Sequence, residues 1–390
     1  MTDHSLQLSN TEAQQATIAN WRTRPYSKWA FCNVADIIPT ASIQSDAERV
    51  MTLAHHPRPI DGFSLKMKDS EALDFSAFLQ RTQTDGFLVM VDGKIVHETY
   101  RGFLTPHTRH ILMSATKSVV GLLCGILRDK GILDVDAPVS ETIPEIANNG
   151  YAGATVRQML DMRADPMFGE AEFKAYVVAA NWDPVAPDAR PDGLHEFYAS
   201  LPHVQGSHGG PFRYISANTD LLGWVIERAA GRPLSALMQD HLWRPMGAEH
   251  SASITLDRCG APRTTGGISA TLRDFARIGQ LLLEQDRPCV VPPSWIEDIA
   301  NAGDHEAWAR GEFAAAFSGA TMRYRNCWYV MDNHPQTLFA MGIHGQNLFV
   351  DRTNRMVIAK LSSQAQALDV MAITLTQMAV REIRRCLFEN

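Results

Sequence analysis

The stretch His110-Ile-Leu-Met-Ser114-Ala-Thr-Lys117-Ser-Val-Val-Gly-Leu-Leu-Cys-Gly-Ile-Leu-Arg-Asp-Lys130 organises the whole chain. Val119, Val120, Leu122, Leu123, Ile126 and Leu127 recur at helical spacing, and Gly131 supplies a stop. The spacing predicts a largely buried helix with Ser114 and Lys117 in its first turn. Residues three apart share a helix face, so the hydroxyl and the amine can meet. A helix N-terminus also offers free backbone N–H groups and a positive dipole end. That combination suits a serine nucleophile beside an amine, with an oxyanion held next to it. A capping serine followed by a solvated lysine gives the same four letters. The motif occurs once in the chain, however, and at a strand-to-helix junction, where it has a chemical use.

Working outward, the segment before it is the clearest hairpin in the sequence. Phe87 to Val91 and Lys94 to Tyr100 are apolar runs joined by Asp92-Gly93, a strong two-residue turn signal. Ser70 to Thr84 is a helix candidate ahead of it. Residues 1–20 read as a loose arm, and Trp21 to Ala41 as an aromatic segment lying across the body. Beyond the central stretch, Thr155 to Met162, Asn218 to Ala230 and Leu234 to Leu242 carry helical patterns. Residues 163–210 are rich in Pro, Gly, Asp and His, and read as a long lid-like loop. Thr271-x-x-Asp274, before the helix Phe275 to Leu283, and Ser294-x-x-Glu297 resemble capping boxes. Strand candidates follow at Cys327 to Met331, Leu338 to Ile343, Asn347 to Val350 and Met356 to Leu361. A helix from Leu368 to Leu387 closes the chain. The expected organisation is one lobe from residues 1–131 and 264–390, with a mainly helical lobe, 132–263, inserted between.

Composition bounds the partners. The chain has 390 residues, 45% hydrophobic and 20% charged, enough apolar content for a large core. Its formal net charge is −7 and it has no long basic run, which argues against nucleic acid and against an anionic membrane surface. No run of apolar residues is long enough to span a bilayer, and Met1 to Gln15 lacks an apolar signal core. A cytoplasmic location is the expectation. The six cysteines, Cys32, Cys124, Cys259, Cys289, Cys327 and Cys386, form no C-x-x-C pair, so buried free thiols are expected rather than zinc or redox chemistry.

Two further segments bear on chemistry. Tyr214-Ile215-Ser216 follows Gly209-Gly210-Pro211 on a loop entering a helix, where a phenol can either face a cleft or pack at an interface. Ala340-Met-Gly-Ile-His-Gly-Gln346 is a strand broken by Gly342 and Gly345. Glycines in a strand mark a bulge or a close backbone approach to a ligand.

Taken in this order, Ser114-x-x-Lys117, Tyr214 and the glycine-broken strand resemble the serine β-lactamase and penicillin-binding protein superfamily, most of all its class C β-lactamase and esterase branch. Lys28-Trp-Ala-Phe31, His110 to Ser118, Tyr214 to Asp220, Gly266-Gly267 with Arg273-Asp274, Gly342 to Asn347 and Lys360-Leu-Ser-Ser363 are similar to the nylon-oligomer hydrolases within it. The resemblance implies an α+β, β-lactamase-like fold: an antiparallel sheet flanked by helices, plus an inserted mainly helical lobe. It implies Ser114 as nucleophile, Lys117 and Tyr214 as the proton-transfer pair, and the N–H groups of Ser114 and Ile343 as the oxyanion hole. Asp183 corresponds to an acidic residue that meets a substrate amine, and Phe168, Phe173 or Tyr176 to an aromatic one from the same loop. Ser216 and His344 are further candidate substrate contacts.

The chain departs from the superfamily pattern in two places. Ser216 stands where Tyr-x-Asn has its amide, and Ala340 stands where Lys/His-Thr-Gly has its base. Losing that base removes a partner for the carboxylate of penicillins. The expectation is a serine hydrolase cleaving amide or ester bonds of small linear substrates through an acyl-enzyme, with neither cofactor nor metal. A β-lactamase or D-amino-acid peptidase, and a non-catalytic ligand-binding member of the fold, are the alternatives. A homodimer is expected on no particular motif. No G-x-S-x-G elbow, H-E-x-x-H or Walker A run is present.

Overall fold

A computed structural model describes residues 15–67, 71–186, 188–283 and 289–389. The arm expected over 1–20 lies outside the described residues as far as residue 14. The centre of the fold is a seven-stranded antiparallel sheet. Its strands are β1 (Thr84–Val91), β2 (Lys94–Tyr100), β3 (Met322–Arg325), β4 (Trp328–Met331), β5 (Thr337–Gly342), β6 (Gln346–Asp351) and β7 (Met356–Ser362), in the order β2-β1-β7-β6-β5-β4-β3. The hairpin at Asp92-Gly93 forms as expected, both residues having positive φ (48° and 74°), as a tight two-residue turn between right-twisted strands requires. β1 then pairs with β7, more than two hundred and fifty residues later. The sheet is thus fed from both ends of the chain.

Helix α1 (Ala115–Asp129) carries the central stretch. Every residue from Ala115 to Leu127 is buried, so it is a core helix rather than a surface one. Helices α2 (Ser216–Ala230), α3 (Leu272–Leu281) and α4 (Val370–Phe388) complete the frame. In α4, Ala372, Leu375, Thr376, Ala379, Val380 and Ile383 are buried, the stripe that a helix lying on a sheet needs. Asp369 caps it by accepting from the Ala372 N–H at 2.9 Å. A smaller antiparallel sheet pairs Thr40–Ile43, Ala252–Thr255, Ile268–Ala270 and His110–Ile111, and so leads the chain into α1.

Several local expectations change. The helix before the hairpin is Phe75–Arg81 only, because Thr84 already belongs to β1. Residues 163–210 are not one loop: they hold helices Glu170–Ala179 and Leu194–Ala199, and a short bridge of Ala164–Asp165 with Ser207–His208. Helix α3 starts at Leu272, capped by Thr271, which accepts from the Asp274 N–H. Ser294 caps nothing: Pro292 and Pro293 start the helix Pro293–Asn301 and leave Ser294 inside its first turn. Strand β3 was not foreseen. Among the described residues no helix is long and apolar enough to cross a membrane.

Candidate active site

The backbone itself aims Ser114. Met113, the residue before it, is held at φ 48°, a left-handed conformation that a long side chain rarely adopts. Ser114 then sits at the N-cap of α1. Among the described residues its N–H donates to no other protein group, and neither does that of Ile343. Gly342 brings the end of β5 against this corner: a Cβ there would lie 2.5 Å from the Leu112 carbonyl oxygen and 2.9 Å from Met113 Cβ. Only glycine permits that approach, which sets the Ile343 N–H beside the start of α1.

One turn into α1, Lys117 is 1% exposed. Its Nζ donates to Ser114 Oγ at 3.1 Å and to the Thr265 carbonyl at 2.8 Å. The same Nζ stands 4.9 Å from the centre of the Tyr214 ring. Thr265 is itself anchored. Its N–H donates to Asp220 Oδ1 at 2.9 Å, and buried Asp220 also accepts from the Tyr176 hydroxyl at 2.6 Å and pairs with Arg263 at 3.1 Å. Tyr214 is stacked on Phe313 at 5.4 Å, and its N–H donates to Glu312. The phenol of buried Tyr329 hydrogen-bonds Tyr214. Burial pushes the Tyr329 hydroxyl well above the ordinary tyrosine range, and the neighbouring Tyr214 adds to it.

Ser114, Tyr214 and Ile343 border one cavity of about 160 Å³ between β5 and the start of α4. A second, of about 340 Å³, lies on the other side of Tyr214 and is bordered by Phe168, Phe173, Tyr176 and Ser216. The structure therefore brings Ser114, Lys117, Tyr214 and the Ile343 N–H together, and places Ser216 and Phe168 in the adjoining space. The other two substrate-contact candidates are engaged elsewhere. Asp183 is paired with Arg22 and borders neither cavity. His344 is buried, its Nδ1 against the Gln364 carbonyl at 2.7 Å and its ring edge-on to Phe31 at 5.1 Å. Burial holds its imidazole below the ordinary histidine range. It shapes the turn after Gly342 and leaves contact with a ligand to its neighbours.

Sequence reasoning missed Thr265, Tyr329 and Asn347. Thr265 acts through a backbone carbonyl, which no side-chain motif announces. Tyr329 and Asn347, which border the smaller cavity, sit on strands whose cavity-facing side is set only by pairing. Among the described residues no group of three or more His, Cys, Asp or Glu side chains is placed to hold a metal ion.

The β-lactamase family model matches residues 74–380. The 6-aminohexanoate-dimer hydrolase of Paenarthrobacter ureafaciens is 33% identical over 374 residues, covering 92% of this chain and 91% of that one. A solved structure from Bacillus anthracis, provisionally named a 6-aminohexanoate-dimer hydrolase, matches with a TM-score of 0.86 at 24% identity, over 96% of this chain and 98% of its own. EstCE1, a hydrolase with promiscuous acyltransferase activity, matches with a TM-score of 0.61 at 15% identity, over 78% of this chain and 98% of its own. The chain belongs to the β-lactamase family of serine hydrolases.

Proposed function

We propose that Ser114 is the nucleophile of a small-molecule amide or ester hydrolase that works through an acyl-enzyme. The Lys117–Tyr214 pair takes the Ser114 Oγ proton as the oxygen attacks the substrate carbonyl carbon. The carbonyl π pair moves onto oxygen, which rests between the N–H groups of Ser114 and Ile343. Collapse re-forms the carbonyl and breaks the bond to the leaving nitrogen or oxygen, which leaves with a proton from the same pair. Water then attacks the ester on Ser114 in the same way. The water proton returns through the pair to Oγ, and the carboxylic acid departs.

The observation that carries this reading is buried Lys117 Nζ at 3.1 Å from Ser114 Oγ, at the N-cap of α1, where among the described residues the Ser114 N–H donates to no protein group. Purified protein is to be assayed on p-nitrophenyl acetate beside Ser114→Ala. Loss of turnover to background is expected; retained turnover would remove Ser114 from the chemistry.

The relatives make the linear 6-aminohexanoate dimer the first amide to test. The β-lactamase reading is weaker, because fully buried Ala340 leaves β5 without the base that would meet a penicillin carboxylate. A chromogenic cephalosporin is expected to turn over far more slowly than the acetate ester.

A further inference from the structure

The two cavities that meet at Tyr214 differ in kind. The larger is bordered by Asp165, Arg213 and Glu312, and is charged. The smaller, which holds Ser114, has no charged side chain on its border among the described residues. Its walls are Tyr214, Tyr329, Met341, Ile343, Leu368 and Ile373, with a few amides and small residues between them. On its border, just ahead of α4, Leu368 presents an apolar side chain to solvent, 66% exposed. Exposed apolar groups that continue an apolar cavity mark a place where a ligand is desolvated.

Resting on the assignment of Ser114 as nucleophile, we propose that this chamber takes an uncharged, apolar arm of the substrate, an alkyl or aryl chain of about six carbons. Ser114 and the Ile343 N–H border the same space, so a carbonyl held there sends one of its two arms into the chamber. The size follows from volume. An apolar cavity of ~150 Å³ takes a benzene-sized guest, and this one is about 160 Å³. The polarity follows from the lining. An ammonium or carboxylate at the end of that arm would be stripped of water with no opposite charge to meet it. Asp183, the acid that the sequence offers to a substrate amine, is already paired with Arg22.

Two ester series test this: p-nitrophenyl esters from acetate to octanoate, and acetates of alcohols from ethanol to octanol. One series is expected to gain kcat/KM by about fourfold per methylene, the worth of a buried CH₂, and to stop gaining near six carbons. In that series a chain ending in a fixed trimethylammonium or a carboxylate should fall at least tenfold below its neutral counterpart. Ile373→Trp, at a half-buried position on the wall, should move the optimum to shorter chains. No gain in either series, an equal gain for the charged chains, or an optimum unmoved by Ile373→Trp would overturn the proposal. Ser114→Ala on p-nitrophenyl acetate separates the two levels. Turnover that survives it sinks the nucleophile assignment. Turnover that depends on Ser114 but ignores chain length sinks the chamber alone.

Discussion

Lys117 has three neighbours at once: the Ser114 hydroxyl, the Thr265 carbonyl and the face of Tyr214. A side chain held from three directions keeps its Nζ beside Oγ with little freedom left to lose, which is what the proposed proton transfer needs. Lys117→Met removes the amine and keeps the bulk. Its turnover, like that of Tyr214→Phe, is expected to fall on the order of ~10²-fold or more, the usual worth of a general acid–base group. Steady-state rates on p-nitrophenyl acetate read both, and unchanged turnover in either would remove that residue from the proton path. Gly342→Ala makes a different point. Its methyl would stand 2.5 Å from the Leu112 carbonyl and push the Ile343 N–H away from Ser114. The expected effect is the loss of one oxyanion donor, ~10²-fold or more in kcat, with the circular dichroism spectrum unchanged.

At the scale of elements, the turn after β5 is fastened from beneath. Gln346 Nε2 donates to the Ile343 carbonyl at 3.2 Å and to the Ser362 carbonyl at 2.7 Å. Lys360 on β7 is fully buried and reaches the Gly345 carbonyl at 3.3 Å and Ser362 Oγ at 2.6 Å. Burial lowers the Lys360 amine to about 7, with Asp85 opposing the shift. In the unfolded chain the same amine titrates near the ordinary lysine value. Between those two values the unfolded state binds more protons, so this group makes stability rise with pH from about 7 toward about 10. Lys360→Met should flatten that rise. The difference between wild type and variant is expected to be on the order of a few kcal/mol at pH 7 and to shrink as pH climbs. Urea denaturation at pH 7, 8 and 9 measures it, and a pH-independent difference contradicts it.

The same elements show what the sequence could and could not reveal. α1, α4 and the Asp92-Gly93 hairpin were legible because burial is continuous or one-sided and a turn residue marks each boundary. Strand β3 was not, because Arg323 and Arg325 break its apolar pattern. The structure pairs them with Asp332 and Asp298, each at 2.7 Å, so residues that read as surface are half-buried or buried. The helix Glu170–Ala179 was hidden for the opposite reason: only Tyr176 and Ala179 are buried, too few to leave a period. The candidate site was legible in the side chains that the structure brings together, Ser114, Lys117 and Tyr214. It was illegible where the backbone does the work, as at Thr265, or where a partner distant in sequence occupies the group, as Arg22 does Asp183.

Over the whole molecule, the N-terminal segment ties the two halves of the site together. Trp21 is fully buried; its indole N–H donates to the Trp182 carbonyl at 3.2 Å, and the two rings meet edge-on at 5.3 Å. Ile343 packs against the same small apolar cluster, which also holds Met113. Trp21→Ala should therefore cost about 3–5 kcal/mol, as removal of a buried tryptophan does, read as a lower urea midpoint with an unchanged slope. Arg22→Ala, which loses a part-exposed pair with Asp183, a bond to the Trp182 carbonyl at 3.3 Å and a contact over the Trp21 ring at 5.4 Å, should cost less than Trp21→Ala.

All of this turns on which atom carries the acyl group. The direct measurement is peptide mass mapping after the protein is quenched during turnover of a slow ester, or after reaction with a fluorophosphonate. One adduct on the peptide that contains Ser114, absent in Ser114→Ala, is the expected result. An adduct on any other residue, or active turnover with no adduct at all, contradicts it.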